Sequence, residues 1–230
     1  MSVQKVGLNE IVVVRVERGG TTGIRRIAFD LDGVLVDTDE LHYLALNMAL
    51  TPYGIRISAA EHFGRFKGLP TLVKCQMLTD EGKLPVAEHA AVFAAKQRET
   101  ARAIELVVKP NQDKLDLLDA LVCDGWRICI CSNAIRSTVQ ALVNALGASR
   151  FVDFLLSNED IARPKPAPDI YRVAADRFGV AVGDLVVVED APPGIKAAQD
   201  AGCRVVVVQG PDEVTPKLLE RIYAVAPPVA

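Results

Sequence analysis

The chain has 230 residues, of which 50% are hydrophobic and 24% charged, and its formal net charge at pH 7 is −3. This composition is typical of a soluble globular protein and excludes a disordered or collagen-like chain. No run of Lys or Arg exceeds two residues, which argues against a nucleic-acid-binding surface. The apolar runs are far shorter than the roughly 18 residues that cross a bilayer, so we expect no membrane segment. The five cysteines lack the spacing of a metal site and predict reduced thiols in a cytoplasmic protein.

Short apolar runs recur along most of the chain, after a weakly specified leader at residues 1–24 to which we assign no chemistry. Continuous runs of Val, Ile and Leu predict strands that are buried on both faces, as in a parallel sheet. Helical patterns separate these runs, and the alternation predicts a doubly wound, Rossmann-like α/β sheet. The five predicted strands are RIAFD, WRICICS, FVDFLLS, DLVVVED and CRVVVVQ.

Between the strands, apolar residues fall at helical spacing. This spacing predicts one helix over residues 135–146, which Gly147 ends, and another over residues 170–178, which Gly179 ends.

Residues 39–107 differ from the rest because they contain no convincing strand. Helical patterns lie near residues 69–78 and 86–107, and the apolar spacing of Leu41, Leu44, Ala45 and Met48 marks a first helix. A segment of this length is too long for an ordinary loop. We therefore predict an α/β core domain of residues 1–38 and 108–230, with an inserted all-helical cap domain of residues 39–107.

Polar side chains follow four of the predicted strands directly or after a short loop. In an open α/β sheet, ligands bind beyond the carboxyl ends of the strands, so we expect these side chains to meet at one edge. They are Asp30 and Asp32 after the first strand, Ser132 and Asn133 after the second, Lys165 after the third, and Glu189 and Asp190 after the fourth.

These residue types suit phosphoryl transfer. Mg²⁺ prefers oxygen ligands, which Asp30 and Asp190 can supply, with Glu189 as a further carboxylate. Asp30 can attack phosphorus and form an aspartyl-phosphate. Asp32 can give a proton to the leaving oxygen and then activate water. The hydroxyl and the ammonium at the ends of the second and third strands can bind phosphoryl oxygens.

Four segments resemble, in order, the four motifs of the haloacid dehalogenase superfamily, which consists mainly of Mg²⁺-dependent phosphotransferases. The segments are FDLDGVLVDTDELH, CSN, RPKPAPDIY and VVVEDAPPGIKAA. The resemblance covers about residues 26–210, and the helical insert resembles the small cap of the subgroup that contains β-phosphoglucomutase. The resemblance implies that Asp30 is the nucleophile and Asp32 the acid–base residue. It implies that Ser132 and Lys165 bind phosphate, and we expect Asn133 to bind phosphate beside them. The implied ligands of Mg²⁺ are Asp30, the Asp32 backbone carbonyl, Asp190 and Glu189.

We expect the cap to supply substrate-specific contacts. His42 lies where the subgroup often has a histidine at the hinge between core and cap. The segment FGRFKGLP predicts a loop that brings Arg65 and Lys67 to the active site, because it contains two glycines and a proline. Lys96 or Arg98 is a further candidate for a substrate contact. His62 and His89 have no partners at the spacing of metal ligands, so we expect them at the surface.

The leading hypothesis is therefore a Mg²⁺-dependent phosphatase of a small phosphorylated metabolite, such as a sugar phosphate or a phosphoglycolate-like acid. A phosphomutase of the same fold is the first alternative, and a phospho-accepting signalling module is a remote one. Asp32 and the Glu189–Asp190 pair argue against a metal-independent dehalogenase. A phosphonate hydrolase needs a Schiff-base lysine in the cap, for which Lys67 or Lys74 would have to serve. The sequence does not predict an oligomeric state.

Overall fold

The computed structural model describes residues 25–66 and 69–226 of the chain. The predicted leader and Lys67 lie outside the described residues. Five parallel strands form one sheet with the order β3-β2-β1-β4-β5, so the predicted doubly wound parallel sheet is confirmed. Each strand coincides with one of the five predicted runs. The strands are β1 (Arg25–Phe29), β2 (Trp126–Cys131), β3 (Val152–Leu156), β4 (Leu185–Glu189) and β5 (Arg204–Val207).

Helices fill the connections, and the described part of the chain shows nine α-helical segments. Both helices predicted from apolar spacing are present as α6 and α7. The helices are α1 (Asp39–Leu50), α2 (Ala59–Glu61), α3 (Thr71–Asp80), α4 (His89–Val107), α5 (Gln112–Cys123), α6 (Arg136–Ala145), α7 (Asp169–Phe178), α8 (Pro192–Ala201) and α9 (Leu218–Val225).

The sheet is covered on both faces, because alternate side chains of a strand point to opposite sides. Ile27 and Phe29 of β1 pack in the layer formed with α5, α6 and α9. Ala28, which lies between them, packs in the layer formed with α7 and α8. This three-layer arrangement explains why the strands read as continuous apolar runs. It also leaves the carboxyl edge of the sheet as the place where polar side chains can gather.

The insert between β1 and α5 consists of helices and turns in its described residues, which confirms an inserted helical cap. It has a buried apolar cluster of its own, which includes Leu50, Phe66 and Leu78. The far end of α4 joins the core cluster through Ile104. The boundaries 38/39 and 107/108 stay a prediction.

The predicted apolar face of α1 is partly wrong. Leu44 and Met48 are 44% and 48% exposed, whereas α1 buries Leu46, Ala49 and Leu50 in addition to the other two predicted positions. The cause is that α1 packs against α4 and also contributes to the cap cluster. The buried face of α1 is therefore rotated about the helix axis, relative to the face that the spacing of apolar residues indicates.

The predicted loop at FGRFKGLP is also wrong in its described first half. Residues His62–Phe66 continue α2 as a π-helix. Ser58 starts this helical segment, because its side chain accepts a hydrogen bond from the Glu61 amide while the Glu61 carboxylate accepts one from the Ser58 amide. None of the helices among the described residues is long and apolar enough to cross a membrane.

Candidate active site

The strands place the first two motifs at the carboxyl edge of the sheet. The backbone amide of Asp30 donates to the carbonyl of Val188 at 3.0 Å, and that of Ser132 donates to the carbonyl of Leu156 at 3.0 Å. Both residues therefore continue the hydrogen-bond pattern of the sheet by one step. Their side chains emerge where the strands end, as the sequence predicts.

Lys165 joins three strand ends through one ammonium group. Its Nζ donates to Asp30 Oδ1 at 2.6 Å, to Glu189 Oε1 at 2.7 Å and to the carbonyl of Cys131 at 2.8 Å. The Lys165 side chain is 4% exposed, so these contacts form with little competition from water. The ammonium group thus brings residues that are far apart in sequence into one cluster.

Glu189 is held from several directions. Its Oε1 accepts a second hydrogen bond from the Tyr171 hydroxyl at 2.6 Å, and its Oε2 accepts one from the Asp190 amide at 3.1 Å. The carboxylate lies directly against the start of α8. A Cβ at Gly194 would stand 1.8 Å from Glu189 Oε1, so only glycine fits at that position.

Asp190 is brought equally close to the turn that follows β1. Gly33 has φ +87°, and a Cβ there would stand 2.2 Å from Asp190 Oδ2. A glycine is required for both reasons, because other residues avoid this φ and would collide with the carboxylate. The sequence FDLDG therefore fixes the shape of the site as well as its charge.

The cluster carries more negative than positive charge. Burial raises the pKa of Asp30 well above its usual value, and Glu189 adds to this although Lys165 opposes it. Burial and Glu189 also raise the pKa of Asp190. Burial alone would lower the pKa of Lys165, but Asp30 and Glu189 outweigh it and raise that pKa. One ammonium group does not balance three carboxylates.

The residues present fit a divalent cation. Asp30, Glu189 and Asp190 offer carboxylate oxygens that all lie within 4.8 Å of one another. Asp190 Oδ1 is buried and has no hydrogen-bond partner among the described residues. A buried, unpartnered carboxylate oxygen is costly unless a cation meets it. Hard oxygen donors with excess negative charge suit Mg²⁺.

Asp32 is oriented by two hydroxyl groups at the mouth of the site. Thr38 Oγ1 donates to its Oδ1 at 2.6 Å, and Ser132 Oγ donates to its Oδ2 at 3.1 Å. The amide of Ala134 donates to Ser132 Oγ at 3.0 Å. The second carboxylate of motif I is thus separate from the Lys165 cluster and faces the cleft.

Asn133 has a role that the sequence does not predict. Its Oδ1 accepts from the backbone amide of Lys165 at 3.0 Å, and its Nδ2 donates to the Lys165 carbonyl at 3.1 Å. Both polar atoms of the Asn133 side chain are therefore used to hold the Lys165 segment. Asn133 therefore positions the Lys165 segment through its side chain, and its part in phosphate binding stays a prediction.

A cleft of about 480 Å³ lies between the cap and the carboxyl edge of the sheet. This volume suits a small metabolite. His42 of α1 lines it, as predicted for the hinge histidine, with Nε2 at 3.9 Å from Asp32 Oδ1 and Nδ1 at 3.3 Å from Lys96 Nζ. Burial, together with the charge of Lys96, lowers the pKa of His42 to about 4. His42 is therefore neutral at physiological pH.

Arg65 is not brought to the cleft. Its guanidinium forms ion pairs with Glu61 and Glu81 of the cap and is not among the side chains that line the cleft. The cause is the helical continuation of α2, which directs Arg65 toward carboxylates of the cap itself. The expectation that Arg65 contacts substrate is therefore corrected.

Three residues near the site were missed or misplaced by sequence reasoning. His62 is 3% exposed and lines the cleft, although a surface position is expected from its lack of partners in sequence. Tyr171 donates a hydrogen bond to Glu189. Its position in the motif RPKPAPDIY is the sequence signal that could have identified it. Lys74 of α3 also lines the cleft, together with Lys96, but nothing in the helical pattern distinguishes it from other cap lysines.

Comparison with known proteins gives a consistent picture. Residues 27–208 match the family described as haloacid dehalogenase-like hydrolase. The chain is 32% identical to the Drosophila melanogaster protein named "probable pseudouridine-5'-phosphatase", over 82% of this chain and 83% of that one. It is 28% identical to the fructose-1-phosphate phosphatase YqaB of Escherichia coli, over 80% and 95% of the two chains.

Solved structures show the same fold. CbbY from Rhodobacter sphaeroides, in complex with phosphate, superposes with a TM-score of 0.71 at 26% identity, over 81% of this chain and 87% of that one. β-Phosphoglucomutase from Clostridium difficile superposes with a TM-score of 0.70 at 22% identity, over 87% and 97%. The latter likeness concerns the fold alone.

Proposed function

Because the chain belongs to the haloacid dehalogenase-like hydrolase family, we propose that it is a Mg²⁺-dependent phosphatase that hydrolyses a small phosphorylated metabolite. The observation that carries this proposal is the Lys165 cluster, in which one ammonium group contacts Asp30 at 2.6 Å and Glu189 at 2.7 Å at the carboxyl edge of the sheet. The names of similar phosphatases support the substrate class.

The first half of the reaction transfers the phosphoryl group to Asp30. One oxygen of Asp30 is held by Lys165, which leaves the other to attack phosphorus and form a P–O bond. The bond from phosphorus to the ester oxygen breaks, and Asp32 gives that oxygen a proton. Ser132 and Lys165 bind phosphoryl oxygens. Ser132 Oγ must exchange its contact with Asp32 for one with the substrate, and Lys165 Nζ must likewise exchange one of its three contacts.

The second half returns Asp30 to its starting state. Asp32, now a carboxylate, takes a proton from a water molecule that attacks the aspartyl-phosphate. The bond between phosphorus and Asp30 breaks, and inorganic phosphate leaves. Because Thr38 holds Asp32 through its Oδ1, the same carboxyl group can serve both steps.

The residues that would hold Mg²⁺ are Asp30, Asp190 and the backbone carbonyl of Asp32. Glu189 is less available, because its Oε1 already accepts two hydrogen bonds and its Oε2 accepts one. When bound, the cation neutralises the repulsion between these carboxylates and the phosphate dianion.

The proposal is tested by a screen of the purified protein against many phosphate esters, with Mg²⁺ present and then with excess chelator. We expect hydrolysis that chelation abolishes and Mg²⁺ restores. Full activity in excess chelator would refute the proposed Mg²⁺ site and favour the metal-independent dehalogenase alternative.

Phosphomutase activity is the alternative to be tested directly, since it uses the same core residues. The protein is incubated with β-glucose 1-phosphate and a trace of the 1,6-bisphosphate. Glucose 6-phosphate formed without stoichiometric inorganic phosphate would establish the mutase. The signalling alternative is disfavoured, because the chain matches a hydrolase family and carries a helical insert that a receiver domain lacks.

A further inference from the structure

Two lysines of the cap line the wall of the cleft, whose lining also includes Asp32 and Lys165 of the core. Lys74 lies on α3 and Lys96 on α4, and the two helices pack against each other. Lys74 is 9% exposed although it is charged. Lys96 is half-buried and donates to His42 Nδ1 at 3.3 Å. Neither side chain is a solvated surface lysine.

Both lysines lack a carboxylate partner in the part of the chain that the structure describes. Among the described residues, no Asp or Glu oxygen lies within 4.0 Å of either ammonium group, and the Lys74 ammonium group donates no hydrogen bond. Asp39 attracts Lys74 from a greater distance without pairing with it. By contrast, Lys165 on the core side contacts two carboxylates. The positive charge of the cap wall is thus left for a ligand to balance.

The cost of this arrangement is visible in the acid–base properties of both groups. Burial lowers the pKa of Lys74. Burial, with repulsion from Lys74, lowers the pKa of Lys96 to about 8. A buried cation without a partner destabilises a protein. Two such lysines close to each other are therefore typical of a site that binds an anion.

We propose that Lys74 and Lys96 form a second anion site, and that the substrate carries a carboxylate or a second phosphate in addition to the phosphate that is transferred. This inference rests on the proposed phosphatase function and specifies its substrate class. The cleft has Lys165 on its core side and Lys74 and Lys96 on its cap side, and the rest of its lining includes both apolar and polar side chains, among them Phe93 and Gln97. A short carbon skeleton with an anionic group at each end matches this distribution of charge.

The test compares matched pairs of phosphate esters. In the carboxylate arm, 2-phosphoglycolate is compared with 2-hydroxyethyl phosphate, and in the phosphate arm fructose 1,6-bisphosphate is compared with fructose 1-phosphate. We expect kcat/KM of the wild type to be at least tenfold higher for the doubly anionic ester in one arm, since a hydrogen bond to a charged group gives about this discrimination. The arm that responds identifies the anion.

Variants show whether the two lysines cause the preference. Lys74→Met and Lys96→Met should each reduce the preference at least tenfold, mainly by raising KM for the doubly anionic ester. Lys74→Arg keeps the charge and should retain more of the preference than Lys74→Met. Lys83→Met is the matched control, because Lys83 is an exposed cap lysine that pairs with Glu81. Its preference should equal that of the wild type.

The outcomes separate this inference from the function on which it rests. If the purified protein hydrolyses neither p-nitrophenyl phosphate nor any ester of the wider screen, the proposed function fails. If esters are hydrolysed but the preference is below tenfold in both arms, or persists in both Met variants, the second anion site is refuted. Borohydride trapping of a carbonyl-bearing phosphonate on Lys74 would also overturn it, because Lys74 would then act as a neutral nucleophile.

Discussion

Asp30 is the residue on which the proposed chemistry depends most directly. Its side chain is 10% exposed, and Lys165 holds one of its two carboxylate oxygens at 2.6 Å. An amide at this position keeps the shape but removes the charge needed for attack on phosphorus.

Asp30→Asn should therefore keep the fold and lose at least about a hundredfold in kcat. Steady-state kinetics with p-nitrophenyl phosphate, and circular dichroism for the fold, measure this. Asp176→Asn, an exposed position on α7, is the control and should leave kcat unchanged. A residual rate above about a hundredth of wild type would contradict the covalent mechanism.

Lys96 gives a prediction about stability that is independent of catalysis. His42, Lys74 and Asp32 face it, and burial with repulsion from Lys74 lowers its pKa to about 8. The unfolded pKa is about 10.4, so the unfolded state binds more protons between pH 8 and 10.4. The cost of the buried charge is therefore complete below pH 8 and is relieved as the pH rises through this window.

Lys96→Met should accordingly be more stable than wild type at pH 7, by up to roughly 3 kcal/mol. The difference should shrink toward zero by about pH 10.5. Urea denaturation at a series of pH values measures it, and Lys83→Met should change stability by less than about 1 kcal/mol at every pH. If Lys96→Met is less stable than wild type at pH 7, the buried charge of Lys96 does not destabilise the folded protein.

At the scale of elements, the start of α8 determines how Glu189 is placed. Gly194→Ala would put a methyl group 1.8 Å from Glu189 Oε1 and displace the carboxylate from Lys165 and Tyr171. We expect a loss of at least tenfold in kcat/KM and about 1–3 kcal/mol in stability. Gly64→Ala is the control, since no atom lies within 4 Å of its added Cβ. Equal behaviour of the two variants would mean that the close contact relaxes without consequence.

The helical continuation of α2 also has a measurable consequence. Because Arg65 pairs with Glu61 and Glu81 away from the cleft, Arg65→Ala should change kcat/KM by less than threefold on p-nitrophenyl phosphate and on a phosphorylated metabolite alike. Its stability should fall by no more than about 1 kcal/mol, as for other exposed ion pairs. A loss confined to the metabolite would restore Arg65 as a substrate contact.

At the scale of the whole molecule, the separate cluster of the cap indicates a unit that can open without the sheet. Leu78 is completely buried in that cluster. Leu78→Ala should destabilise by about 2–5 kcal/mol, and hydrogen exchange should accelerate within residues 39–107 more than in β1 to β5. Uniform acceleration over both parts would contradict the proposed division into core and cap.

The parallel sheet, and the edge at which its polar side chains gather, could be predicted from the amino-acid sequence alone. Buried parallel strands read as continuous apolar runs, and their carboxyl ends lie at one edge, so Asp30, Ser132 and Glu189 converge whatever the details of packing. The family motifs also predicted the hydrolase family, which the comparison with known proteins confirms.

The arrangement of the cap, by contrast, could not be predicted from the sequence. The helical period shows which residues share a face, but it does not show whether that face meets another cap helix, the core or the cleft. Leu44 and Met48 are exposed for this reason, and Arg65 turns to Glu81 while Lys74 turns to the cleft. The cap side chains that line the cleft are therefore determined by the docking of helices, whose partners are set by packing between segments distant in the chain.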